Sequence, residues 1–296
     1  MTPRRFVLVG HPVAHSISPE IHRAFYAAFG LPHDYEAVDC ADEASLEREI
    51  SRFRTGGIHG MNVTVPWKLL ALELADRRHA LAEQIGAANV LARDPDDAVV
   101  AYNTDVLALV DELEAGAPAA REAVVIGSGG AALAAVAACR TRGVRRISVT
   151  ARRFRPETLD QREAEKLRSL GATPLTWPVI DAAAGKAWSE AVAGASVIIQ
   201  ATSAGMRGGA PGETVRDLVP WRALDASVFA YDVVYNPEVT PFVAAARAAG
   251  LRAESGLGML IGQAARAIEL WLGELPPRAL LEQAAGQALL RKQQAR

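Results

Sequence analysis

Three stretches of the chain carry side chains that could do chemistry together. His11-Pro-Val-Ala-His-Ser-Ile ends at Ser18-Pro19 and so presents two hydroxyls, Ser16 and Ser18. Asn62-Val-Thr-Val-Pro-Trp-Lys68 presents an amide, a hydroxyl and an amine at Asn62, Thr64 and Lys68. Asn89 and the run Asn103-Thr-Asp105 add amides and a carboxylate. Hydroxyls and amides suit a polyhydroxylated substrate, and an amine among them suits proton transfer. His15 and His22 lie near the first stretch, but no cysteine or carboxylate completes a metal set around them, so no metal is expected.

The elements that must position these groups follow from pattern. Phe6–Val9 is a short apolar strand closed by Gly10, and Ser18 with Pro19 reads as the N-cap and first residue of a helix with Ile21, Ala24, Phe25 and Ala28 on one face. A loop at the C-terminal end of a parallel strand is where open α/β sheets bind ligands. Tyr35 to Cys40 alternates as a strand, and Leu46, Ile50 and Phe53 mark the next helix. A buried strand from Ile58 runs out into Asn62 and Thr64, Pro66 stops its pairing, and Lys68 opens a helix. Asn89 begins a strand that turns at Asp94-Pro-Asp-Asp and returns through Val99–Tyr102 to Asp105. A helix follows through Leu113, and Glu114-Ala-Gly-Ala-Pro-Ala-Ala reads as a linker.

Beyond the linker stands a strand, glycine turn and helix. Ala123–Ile126 is apolar, Gly127, Ser128, Gly129 and Gly130 form a tight turn, and a helix runs from Ala131 to a stop at Gly143. Unpaired N–H groups and the positive end of the helix dipole make such a turn an anion site. Ala132 stands where the dinucleotide fingerprint has its third glycine, a position that accepts Ala. The next strand, Arg145–Thr150, ends in Ala151-Arg152-Arg153. An acid there would hold both ribose hydroxyls of NAD, whereas two guanidiniums suit the 2′-phosphate of NADP. NADP is the cofactor expected.

The 296 residues allow two domains, and a formal net charge of −2 gives no electrostatic reason to expect nucleic acid. Cys40 and Cys139 make no disulfide framework, and no apolar run reaches the ~20 residues of a membrane span. The N-terminus leads directly into a strand, so a cytoplasmic protein is expected.

The stretches 10–22, 62–68, 86–89 and 103–105, in this order, closely resemble signatures of the shikimate dehydrogenase family. The resemblance implies a split open α/β substrate domain over 1–113 and 256–296, with a Rossmann-type doubly wound domain over 114–255 inserted and a deep cleft between them. It implies that Ser16, Ser18, Asn62, Thr64, Asn89 and Asp105 hold the substrate and that Lys68 and Asp105 are the catalytic pair. Lys68 would exchange the hydroxyl proton and Asp105 would orient it.

In the nucleotide half, Ser196–Gln200 leads into Ala201-Thr-Ser-Ala-Gly-Met206, similar to the family's loop at the nicotinamide ribose, with Gln200 in place of its Asn and Thr202 in the loop. A helix with Leu159, Leu167 and Leu170 follows Pro156, and Phe229–Tyr235 is the last long strand. Residues 231–242 again resemble the family, which implies that Tyr235 contacts substrate and Val233 the nicotinamide. By the same resemblance Gly256 approaches the nicotinamide and Gln263 binds substrate. Val90 and Ala108 depart from the family's Thr and Gly.

The activity implied is NADP-dependent interconversion of 3-dehydroshikimate and shikimate, by a monomer or homodimer. The alternatives are a paralogue acting on quinate or aminoshikimate and a catalytically silent NADP-binding regulator. A folate-linked dehydrogenase of similar layout is set aside by the Ser16/Ser18 loop and the Asn62–Lys68 pattern.

Overall fold

A computed structural model describes residues 1–155 and 161–294. The chain divides into two compact units, Met1–Leu107 with Ile261–Arg296, and Ala108–Leu260, and both divisions fall inside helices.

The first unit runs β1 (Arg5–Gly10), α1 (Ser18–Ala28), β2 (Asp34–Asp39) and α2 (Glu43–Arg54). It continues with β3 (Gly60–Val63), α3 (Lys68–Glu73), β4 (Arg77–Arg78) and α4 (Ala80–Ile85). The hairpin β5 (Val90–Arg93) and β6 (Val99–Tyr102) then leads into α5 (Asp105–Gly116). Six strands form one mixed sheet in the order β2-β1-β3-β5-β6-β4. β1 lies parallel to both β2 and β3, so the chain leaves β1 toward one side of the sheet and reaches β3 on the other. That reversal puts the loops after β1 and β3 side by side at the strands' C-terminal ends, the general ligand position of open α/β sheets. The two loops are stitched by the His11 N–H to the Val65 carbonyl (2.9 Å) and the Thr64 N–H to the Val9 carbonyl (2.9 Å).

Strand alternation divides the sheet's side chains. Val7, Val9, Met61 and Val63 join Leu46, Ile50 and Phe53 of α2 in one core. On the other face Phe6 stacks against Trp271, and a Cβ on Gly60 would lie 2.5 Å from the same indole. α1 opens one residue earlier than its sequence suggests. Ile17 is the cap and Ser18 is the first helical residue, because the Ser16 hydroxyl already accepts the Ser18 N–H (3.2 Å).

The second unit contains β7 (Glu122–Ile126), α6 (Gly130–Thr141), β8 (Arg146–Thr150), α7 (Gln161–Ser169), β9 (Thr173–Leu175) and α8 (Ala182–Ala193). It goes on through β10 (Val197–Gln200), α9 (Glu213–Arg216), β11 (Phe229–Asp232), α10 (Pro241–Ala248) and β12 (Arg252–Ser255). α11 (Leu257–Leu272) and α12 (Arg278–Gln294) complete the chain. All six strands are parallel in the order β12-β11-β10-β7-β8-β9, the doubly wound arrangement of a Rossmann domain. The first helix after Thr150 is described only from Gln161, so Pro156 and Leu159 lie outside the described residues. β11 ends at Asp232, short of the expected Tyr235, because the Asp232 carboxylate accepts the Val234 N–H (2.9 Å) and turns the chain.

Candidate active site

In the first unit a chain of hydrogen bonds joins five of the expected site residues. Lys68, at the start of α3, places Nζ 2.6 Å from Oδ2 of Asp105, at the start of α5. The side chains are 15% and 5% exposed, so this pair is little screened by water. Asp105 Oδ1 accepts Nδ2 of Asn89 (2.8 Å), which fixes the carboxylate from its second oxygen. Asn89 is itself held, since Nδ2 also donates to Thr104 Oγ1 (2.9 Å) and Oδ1 accepts the Thr104 N–H (2.7 Å). Both amide hydrogens and the amide oxygen of Asn89 are therefore committed inside the protein. Asn62, on β3, donates Nδ2 to the Asn89 carbonyl (3.3 Å) and toward Gln263 Oε1 (3.5 Å). Its Oδ1 accepts the Tyr35 hydroxyl (2.7 Å).

The two hydroxyls of the β1 loop meet each other, Ser16 Oγ to Ser18 Oγ at 3.2 Å, with Ser18 buried and Ser16 half-buried. Asp39 at the end of β2 anchors this loop by accepting the Val13 N–H (3.2 Å) and bonding His11 Nδ1 (2.8 Å). From α12, Lys292 donates to the Ser16 carbonyl (2.6 Å). Thr64 is half-buried on the neighbouring loop, its Cγ2 so close to Gly10 that a Cβ there would come within 2.3 Å. The amine, carboxylate and amides of the Lys68–Asp105 network can bind an alcohol oxygen and move its proton.

The second unit carries the nucleotide features. Gly127 has φ +134°, and a Cβ on it would lie 2.6 Å from the Ala201 carbonyl oxygen. A side chain is thus excluded where the loops after β7 and β10 diverge. Gly129 caps α6 with no side-chain partner for its first N–H groups, and a Cβ on it would meet nothing within 4 Å. Free N–H groups beside open space fit a pyrophosphate. Ser128, Gly130 and Ala131 complete the turn and are half-buried.

Arg152 and Arg153 are exposed just past β8. Arg153 reaches the Ser128 carbonyl (3.4 Å) and also pairs with Glu163 of α7. This donor set fits a phosphorylated dinucleotide. Gln200 folds back so that Nε2 meets the Ala204 carbonyl (3.0 Å) and Asp232 Oδ1 (3.2 Å), which shapes the loop bearing Thr202. Asp232 also accepts the Thr240 hydroxyl (2.6 Å). Burial pushes its carboxyl up to about 7, against the pull of Thr240 and the Val234 N–H. Val233 and Tyr235 follow, half-buried, and a Cβ on Gly256 would lie 2.0 Å from the Val233 carbonyl oxygen. Val90 and Ala108 are fully buried.

The structure adds polar groups that the sequence reading passed over, namely Thr104, Tyr35, Asp39, Asp232 and Lys292. Thr104 and Asp232 lay inside stretches already singled out, 103–105 and 231–242; Tyr35, Asp39 and Lys292 act one layer behind the expected site. Among the described residues no group of three or more His, Cys, Asp or Glu could hold a metal, and no helix is long and apolar enough to cross a membrane.

Known proteins resemble this chain over most of its length. The shikimate dehydrogenase substrate binding domain matches residues 8–91, and the shikimate 5′-dehydrogenase C-terminal domain matches 256–285. A shikimate dehydrogenase (NADP(+)) of Chelativorans sp. (strain BNC1) is 39% identical over 277 residues, covering 92% of this chain and 91% of its own. One from Methylobacterium radiotolerans is 38% identical over 282 residues, covering 93% of both. A crystal structure of shikimate 5-dehydrogenase from Thermus thermophilus with NADP(H) and shikimate has a TM-score of 0.80 and 30% identity. It covers 97% of this chain and all of that one.

Proposed function

Since the chain belongs to the shikimate dehydrogenase family, we propose that it reduces 3-dehydroshikimate to shikimate, reversibly and with NADP, through the Lys68–Asp105 pair. The observation that carries this reading is the 2.6 Å contact of Lys68 Nζ with Asp105, braced from behind by Asn89. NADP, when bound, supplies hydride exchange at its nicotinamide ring. Gly127–Ala131 would take its pyrophosphate, and Arg152 with Arg153 its 2′-phosphate. Val233, Thr202 and Gly256 would face the nicotinamide end.

What the chain itself contributes is orientation and a proton. As the ketone carbon gains hydride, its oxygen gains negative charge, and Lys68 delivers a proton to it; in oxidation the same nitrogen removes the hydroxyl proton. Asp105 keeps the amine in place, and Asn89 keeps Asp105 in place. Since the Asn89 amide is fully committed, its part is to position the pair. Ser16, Ser18, Asn62, Thr64, Tyr235 and Gln263 would bind the substrate's carboxylate and remaining hydroxyls. A monomer or homodimer in the cytoplasm suits this reading, and size-exclusion chromatography decides between the two states.

The test is initial-rate oxidation of shikimate and quinate, each with NADP and NAD. Shikimate with NADP is expected to give the highest kcat/KM. A preference for quinate would make the chain the paralogue, and NADP binding without turnover of any such polyol would make it a silent binder.

A further inference from the structure

Tyr35 is fully buried on β2, and its ring is held flat by His22, whose centroid lies 4.0 Å away at an interplanar angle of 13°. Burial holds His22 near pKa 3, so this neighbour is neutral, and burial keeps the Tyr35 phenol far above its ordinary value, so the hydroxyl retains its proton. The hydroxyl meets Asn62 Oδ1 at 2.7 Å. The other end of the Asn62 amide faces the Asn89 carbonyl, which already accepts the Val63 N–H (2.8 Å) and can only accept. An amide turned the other way would set two acceptors against each other, so Nδ2 must point to Asn89 and Oδ1 to Tyr35.

We propose that Tyr35 is a positioning residue for substrate binding: the Asn89 carbonyl sets which way the Asn62 amide faces, and the Tyr35 hydroxyl, by taking the amide oxygen, holds position 62 as a hydrogen-bond donor toward the substrate. One Asn62 hydrogen goes to the Asn89 carbonyl; the second, only 3.5 Å from Gln263 Oε1, is the one a substrate oxygen would take. Asn62 thereby selects an acceptor, a carboxylate or hydroxyl oxygen, and disfavours a donor such as an ammonium. The inference rests on the shikimate reading of the same site.

The test is a double-mutant cycle of Tyr35→Phe and Asn62→Ala, read as KM for shikimate, KM for NADP and kcat. Loss of one neutral hydrogen bond corresponds to roughly 3- to 10-fold. Tyr35→Phe is expected to raise KM for shikimate by about that factor, with KM for NADP unchanged, and to add less than about 2-fold once Asn62 is replaced by Ala. An unchanged KM in Tyr35→Phe, or the same increase in both backgrounds, overturns the proposal and leaves Tyr35 a packing residue.

A second readout needs no substrate. The Asn62 side-chain NH2 resonances, identified by their absence in Asn62→Ala, should shift and exchange faster with water in Tyr35→Phe; unchanged resonances overturn the proposal. If the wild-type protein does not turn over shikimate, the functional reading fails, and the resonance experiment still decides the role of Tyr35.

Discussion

Replacing Asp105 by Asn tests how the centre is built. Asp105 receives a donor on each oxygen, Lys68 Nζ at 2.6 Å and Asn89 Nδ2 at 2.8 Å. An amide has one acceptor, so its NH2 must face one of those donors, and the Lys68 charge loses its partner. Removing one member of a buried ion pair costs ~3–5 kcal/mol. Lys68 is 15% exposed and keeps some water, so the lower end, about 3 kcal/mol, is expected. At about 2–4 °C per kcal/mol for a domain of this size, Tm should fall by roughly 6–12 °C. A misplaced amine should also lower kcat/KM by about 10²- to 10³-fold.

The double variant Lys68→Met with Asp105→Asn removes both charges, and the new amide can then turn its oxygen to Asn89. Urea unfolding should show it more stable than Asp105→Asn alone by about 2 kcal/mol, while turnover stays lost. The electrostatic account is refuted if Asp105→Asn unfolds within ~0.5 kcal/mol of wild type, or if the two losses simply add.

Further tests concern the nucleotide unit. Asp232 holds its proton up to about pH 7 in the folded chain, against an ordinary carboxyl value of 3.8. The folded state therefore binds the extra proton between those values. The stabilisation is present at low pH and lost as pH rises through about 7, by up to about 4 kcal/mol. Urea unfolding of wild type and Asp232→Asn from about pH 4 to 8 should show wild type losing ground up to about pH 7 and then running parallel; parallel curves throughout contradict this. Gly127→Ala forces a side chain at φ +134° into the Ala201 carbonyl, and NADP Kd by fluorescence titration should rise at least ~10-fold. Arg152→Ala should raise KM for NADP about 10-fold with little change for NAD, and an equal rise for both would detach Arg152 from the 2′-phosphate.

The sequence showed the site's residues more readily than their geometry. Lys68 and Asp105 stood out because each ends a strand in polar residues, yet their contact spans 37 positions and exists only because β3, β5 and β6 pair in one sheet. The glycine turn could be read locally, because strand, turn and helix are consecutive. Ser18 looked like a helix cap, but Ser16 takes the role of local acceptor and moves the cap to Ile17. The end of β11 was overextended because apolar spacing continues through Val234, whereas the Asp232 carboxylate turns the backbone there. Tyr35 carries no motif, and Asp232 sits unweighted inside the 231–242 stretch; a buried polar residue declares its purpose only when its partner's position is known.

The most direct test of the central claim, that the amine at position 68 moves the substrate's proton, is single-turnover and steady-state oxidation of shikimate by Lys68→Ala. The account predicts a kcat lower by at least ~10²-fold with NADP affinity retained. A kcat within a few-fold of wild type would contradict it.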